Sequence, residues 1–238
     1  MVCIAFCFIT YDNLVREDVW SNFFQDADTD YIIVGHAKYP DNVTGLLKDN
    51  LIETIPTKYC DISVVQASAN AIESAFAQGA DYAFLTDASA IPVERFNVIR
   101  DRVTSWGMSI FQETRHNLGN HLQIRFDTLE KPDFGYDMFT KQQQSFCISK
   151  EDYYQIFPFI PTFINMHAKV YTPEEHVFIN IFKYLKIPFK NSTVCFTNNM
   201  WRRVQGYPIE VLADKLPIAK ERQSFFIRKA TQETVITF

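Results

Sequence analysis

The sequence predicts an α/β fold built on a doubly wound sheet. Three observations carry that prediction. Apolar runs at Val2–Thr10, Tyr31–His36 and Tyr82–Leu85 read as strands covered on both faces, as parallel strands are. Helical segments alternate with them, the order that crossover connections require. The length of 238 residues suits one domain with a substantial core.

The elements follow in order. Val2–Thr10 is the first strand. Arg16–Gln25 reads as a helix, with Val19, Phe23 and Phe24 on one side. Tyr31–His36 is the second strand. Ile62–Ala77 holds many small residues and no breaker, which predicts a closely packed helix. Tyr82–Leu85 is the third strand, and Glu94–Thr104 a helix entered through Pro92. The stretch from Phe111 to Thr140 is polar and irregular, a length often given to function or to a short excursion. Ser145–Ser149 reads as a strand and Glu151–Phe157 as a helix. Pro173–Leu185 is the clearest helix, with Val177, Phe178, Ile181, Phe182 and Leu185 on one face. Thr193–Phe196 and Phe225–Ile227 are late short strands. Ligands of such sheets bind beyond the carboxyl ends of the strands, which marks Thr10–Asn13, His36–Lys38 and Thr86–Pro92 as the segments to watch.

Composition narrows the function. Net charge is -5 and no basic stripe is present, which argues against a nucleic-acid partner. The local basic pairs Arg202–Arg203 and Arg228–Lys229 suit a small phosphorylated ligand better. The seven glycines are too few for a Gly-rich phosphate loop. The longest apolar run, Val2–Ile9, is too short to span a bilayer and lacks the flanks of a signal peptide. Of the five cysteines, Cys3, Cys7, Cys147 and Cys195 lie in strand-like runs. Together with Cys60 they form no CxxC pair, which implies a reducing compartment and no structural zinc.

Seven segments, in order, resemble one family. They are IAFCFITYDNL (Ile4–Leu14), YIIVGHAK (Tyr31–Lys38), KYCDISVVQAS (Lys58–Ser68), DYAFLTDASAIPV (Asp81–Val93), KQQQSFCISKED (Lys141–Asp152), TPEEHVF (Thr172–Phe178) and SFFIRK (Ser224–Lys229). Together they resemble the core-2/I-branching β-1,6-N-acetylglucosaminyltransferases and their xylosyltransferase relatives. Tyr59 stands where the family has Trp, and Ser145 stands at the Trp of its Lys-Gly-Ser-Gln-Trp block. The resemblance implies a GT-A-type, Rossmann-like fold in one domain, 1–238. Residues 1–105 would form the nucleotide-binding half and 106–238 the acceptor and catalytic half. It further implies a UDP-sugar donor (N-acetylglucosamine or xylose), a glycan or glycoprotein acceptor, inversion at the anomeric carbon, and basic side chains instead of a metal ion on the diphosphate.

Inverting transfer needs a base for the acceptor hydroxyl and a positive group for the leaving diphosphate. The resemblance places the base at Glu175. Thr172-Pro-Glu-Glu175 is equally a capping box, with Thr at the N-cap, Pro at the first helical position and Glu at the third. Glu174 is then left for solvent or the acceptor. By the same resemblance Lys229 and Arg228 meet the donor phosphates, with Arg202 and Arg203 behind them. Trp201 shapes the sugar site unless it is a core residue, and Lys141 and Gln144 reach the acceptor. Thr10 and Asp87, at strand ends, belong to the donor site, as does Asp61 unless it only caps the helix that follows. Asp28-Thr-Asp30 precedes a strand, where a metal-binding Asp-x-Asp should follow one, and is set aside. His36 reads as a packed strand-end residue, and His176 as support for its helix. The alternatives are a metal-dependent GT-A enzyme using Asp87 and an inactive carbohydrate-binding relative. Animal members of the family are luminal and membrane-anchored; this chain reads as a microbial or viral version, cytoplasmic (host cytoplasm if viral).

Overall fold

β1 (Ile4–Thr10), α1 (Glu17–Gln25), β2 (Tyr31–Ala37), α2 (Ile62–Ala77) and β3 (Tyr82–Asp87) follow one another as the sequence predicts. The computed structural model describes residues 2–114, 120–130, 135–197 and 209–228. β1 lies between β2 and β3 and is parallel to both. Its two faces differ in size. Ile4, Phe6 and Phe8 belong to one core, Ala5 and Cys7 to another, because successive strand residues point to opposite faces. The large face meets α1, where Phe6 packs edge-on against Trp20 and Phe23 with centroids 5.8 and 5.5 Å away. The small face meets α2, whose buried side includes Ala67, Ser68, Ala71 and Ala75. Small against small brings the helix close: the Cys7 thiol donates to the Ala71 carbonyl at 3.6 Å.

The chain continues through β4 (Ile91–Pro92), α3 (Phe96–Trp106), β5 (Ile110–Phe111), β6 (Glu113–Thr114), α4 (Asn120–Asp127) and β7 (Lys141–Gln142). β8 (Phe146–Ser149), α5 (Lys150–Ile156), α6 (Ile160–Met166) and α7 (Val177–Leu185) come next. β9 (Lys190–Asn191), β10 (Cys195–Thr197), α8 (Ile209–Glu221) and β11 (Phe226–Arg228) follow. The main sheet has the order β2-β1-β3-β8-β5-β9, with β8 antiparallel to β3. A small sheet, β10-β11-β4, returns the late chain to the loop that follows β3. No described helix is long and apolar enough to cross a membrane.

Two predicted helices are placed differently. Pro92 does not open a helix: it lies in β4, opposite Phe226 of β11, and α3 begins only at Phe96. Gly107, at φ 62, ends α3 in the left-handed conformation that glycine tolerates. The segment Pro173–Leu185 is two pieces, a 3-10 turn at Pro173–Glu175 and then α7. Thr172 is no N-cap. Its φ and ψ of 54 and 56 are left-handed, where a cap residue is extended, and its hydroxyl makes no cap bond. α7 is buried at every position from Val177 to Phe182, not along a single face.

Candidate active site

A cavity of about 330 Å³ opens beyond the carboxyl ends of the parallel strands, the position that doubly wound sheets give their ligands. Each marked strand end contributes: Thr10 and Tyr11 after β1, Lys38 after β2, and Asp87 to Ser89 after β3. Opposite them stand the segment Thr57–Cys60 and Val64 of α2, with Gln144, Glu174 and Arg228. Thr10 is fixed by its hydroxyl, which donates to the Asp12 carbonyl at 2.8 Å.

Long-range strand pairing brings Arg228 here. β11 runs antiparallel to β4 with Ile227 opposite Ile91, so its last residue, Arg228, reaches the end of β3, where it pairs with Asp87 at 2.8 Å. The other Asp87 oxygen accepts from the Ser89 amide and hydroxyl at 2.8 and 2.5 Å. Burial is the largest single influence and opposes the charge of Arg228, but Asp87, with Cys195, Glu175 and Tyr59 added, outweighs it and holds the guanidinium above its ordinary range. Arg228 Nε is buried without a hydrogen bond, an open donor at the cavity wall. Among the described residues no three His, Cys, Asp or Glu side chains converge, and both Asp87 oxygens are engaged, one by Ser89 and one by Arg228.

The two adjacent glutamates take opposite directions. Glu175 is tied down: Lys141 Nζ lies 2.8 Å from its carboxylate, Arg125 lies 3.3 Å away, and the Thr172 hydroxyl donates at 2.9 Å. In the predicted capping box Thr172 would accept from a backbone amide. The left-handed backbone turns it to donate to the carboxylate instead. Glu174 lines the cavity, and its Oε2 is buried without a hydrogen bond. Burial, chiefly, pushes its pKa up to about 7.

His176 is held neutral. Arg125 donates to its Nε2 at 3.0 Å, and its Nδ1 bonds the Thr140 carbonyl at 2.8 Å. Burial, with the nearby Arg125 charge, lowers its pKa to about 3. It supports Arg125 rather than capping its own helix, for which it makes no side-chain bond. His36 is buried, and its Nε2 accepts from the Ile55 amide at 3.0 Å, a packed strand-end residue.

Of the sequence-predicted site residues, Thr10, Asp87, Gln144, Glu174 and Arg228 share the cavity. Asp61 does not line it. It caps α2 by accepting from the Ser63 amide at 3.0 Å. Asp61→Ala should therefore cost about 0.5–2 kcal/mol in thermal or urea unfolding, with UDP affinity unchanged. A selective loss of UDP binding would return Asp61 to the donor site. Lys141 stands behind the cavity, on Glu175. Trp201, Arg202, Arg203 and Lys229 lie outside the described residues. Asp28 pairs with Arg100. Sequence reasoning missed Arg125, which sits in the segment read as irregular, and Lys38, Lys58 and Tyr11. Lys38 and Tyr11 lie in marked loops, where position was the available signal; Lys58 lies outside them.

No family model and no curated protein matches the chain. Among solved structures, an active-site mutant of LgtC aligns over 99% of this chain and 85% of its own, with a TM-score of 0.50 and 11% identity. LgtC galactosyltransferase in complex with donor and acceptor sugar analogs aligns with a TM-score of 0.49 and 10% identity over 99% and 84% of the two chains. The apo bifunctional glycosyltransferase WbbM gives 0.46 and 11% over 98% and 46%. The chain has the α/β, GT-A-type fold of the first of these, the LgtC mutant.

Proposed function

We propose that the protein is a glycosyltransferase that moves a sugar from a nucleotide-sugar donor to a hydroxyl acceptor. One observation carries the reading. A single cavity at the ligand-binding edge of a GT-A-type sheet joins a buried carboxyl with an open oxygen, Glu174, to a buried guanidinium with an open donor, Arg228.

In this reading the acceptor oxygen attacks the anomeric carbon from the side opposite the diphosphate. Glu174 takes the proton of the acceptor hydroxyl. The bond from the anomeric carbon to the phosphate oxygen breaks, and its electron pair leaves with the nucleoside diphosphate. Arg228 faces that growing negative charge. The base is placed at Glu174 rather than Glu175, because Glu175 is already bonded to Lys141, Arg125 and Thr172. Thr10 and Tyr11 then bound the nucleotide side, Gln144 faces the acceptor, and Glu175 holds Lys141 and Arg125 in place. Lys229 follows Arg228 in the chain and is the second candidate for the phosphates.

UDP as the nucleotide, N-acetylglucosamine or xylose as the sugar, and inversion rest on the likeness to the core-2/I-branching family. The test is release of UDP from UDP-N-acetylglucosamine, UDP-xylose, UDP-glucose and UDP-galactose, with the anomeric configuration of the product read by NMR. Turnover of none of them would overturn the proposal. A product of retained configuration would overturn inversion alone.

Charge on the leaving group is assigned to side chains. Activity is therefore expected to persist in EDTA, and Lys229→Ala to weaken UDP binding and slow transfer together. Lys229→Arg should rescue only in part, since a flat guanidinium fork does not replace a compact ammonium. Strict Mn²⁺ dependence with Lys229→Ala silent would move the assignment to Asp87.

A further inference from the structure

Tyr59 and Tyr171 are the most exposed aromatic side chains among the described residues, at 70% and 60%. They come from distant parts of the chain. Tyr59 precedes α2 and Tyr171 precedes the turn Pro173–Glu175, and these two elements pack together. Both phenols interact with the side chain of Cys60, and Glu174 acts electrostatically on both. Tyr59 therefore lines the cavity together with the carboxyl group proposed as the base, and Tyr171 stands beside Cys60 of the same wall.

The backbone beside each ring is strained. Cys60 and Thr172 have φ of 55 and 54, a left-handed conformation that costs roughly 1–2 kcal/mol per non-glycine residue. The other two such residues among those described, Lys186 and Gln223, sit at helix ends, where this conformation is ordinary. At Cys60 and Thr172 no helix is being ended. Arg125 lies over the Tyr171 ring, 5.6 Å from its centroid. With one face taken by the guanidinium, the exposure of Tyr171 leaves the other open.

We propose that Tyr59 and Tyr171 form the acceptor subsite, a stacking platform for a pyranose ring of a saccharide acceptor. This rests on reading the cavity as a glycosyl-transfer site. A pyranose presents C–H groups on its faces and hydroxyls around its rim. A tyrosine presents an apolar face with a hydroxyl at its edge, so the two match face to face and edge to edge. A ring stacked here sets its rim hydroxyls toward Glu174. Tyr11, which lines the cavity, stacks on Tyr39 at 6.4 Å beside Lys38 at the ends of β1 and β2, on the nucleotide side.

The test is saturation-transfer NMR with UDP present, using the methyl β-pyranosides of glucose, galactose and N-acetylglucosamine. Open-chain glucitol is the control. At least one pyranoside should give a signal and glucitol none. Tyr171→Ala and Tyr59→Ala should each weaken that binding roughly ten-fold. Tyr171→Phe should keep most of it, because the ring face remains. UDP binding by thermal shift should stay unchanged in the Tyr171 variants. Pyranoside binding that survives both alanine variants, an equal response to glucitol, or no pyranoside response while UDP binds and donor is hydrolysed would overturn the platform alone. Absence of UDP binding and donor hydrolysis in the unaltered protein would instead overturn the glycosyltransferase reading.

Discussion

Glu174→Gln is expected to lower turnover by about 10²–10⁴-fold and, above neutral pH, to make the protein more stable. Both effects come from one cause. The carboxyl is buried against the cavity with an oxygen that bonds nothing, and burial raises its pKa from 4.5 to about 7. A base with a pKa near 7 is ionised enough to accept a proton and basic enough to hold it. The rate should rise with pH and level off above about 7, and the glutamine variant should lose that dependence. The sign for stability follows from proton counting. Between pH 4.5 and about 7 the folded protein holds a proton that the unfolded chain has released, so this group's contribution falls as pH rises through that window. The full shift corresponds to a cost on the order of 3 kcal/mol above it. Glutamine carries no charge to desolvate and removes that cost. Paired measurements of turnover and of melting at pH 5.5 and pH 8.5 decide the matter. A variant that keeps its turnover is not missing its base. If Glu175→Gln loses turnover instead, with UDP binding intact, the base is Glu175 after all.

Arg228→Ala should cost about 2–4 kcal/mol of stability, reduced from the fully buried case because both partners keep some exposure. Their side chains are 17% and 13% exposed. Removing the guanidinium leaves Asp87 charged in a site that burial makes unfavourable, and Ser89 supplies only neutral hydrogen bonds. The same variant should bind UDP about 10–100-fold more weakly, the loss of a charge-assisted contact. A double variant, Asp87→Asn with Arg228→Gln, separates the two effects. It removes the stranded charge and should recover much of the stability while UDP binding stays weak. Titration calorimetry and urea unfolding read both quantities. Unchanged UDP affinity in the double variant would take Arg228 out of the donor site.

The scaffold was legible in the sequence where periodicity is local. β1 to β3 announce themselves as apolar runs, and α2 falls on the predicted residues because nothing interrupts its small-residue pattern. From these the cavity edge follows, and with it Thr10, Asp87 and the loops that carry Tyr11 and Lys38. Elements that depend on distant partners were not legible. β4 has two residues and exists because β11 pairs with it, so Pro92 read as the start of a helix. The division of labour between Glu174 and Glu175 turns on the left-handed backbone of Thr172 and on the bonds that Arg125 and Lys141 make to Glu175. Arg125 lies 50 residues from Glu175 in the chain. A capping-box pattern describes four consecutive residues and contains none of that.

The unequal faces of β1 also govern who controls the mouth of the site. Where α2 crosses β1 the contact is made by Ala5, Cys7 and Ala71, so its distance from that strand is set there by groups no larger than a methyl or a thiol. The first turn of that helix carries Val64, and the residues just before it, Thr57 to Cys60, are a wall of the cavity. One added carbon at Ala71 or Ala75 would press the helix outward and displace the wall, without altering any residue that touches a ligand. The gauge of the opening is written in the core, on the far side of the helix from the chemistry, and drift at those alanines would retune which substrates enter.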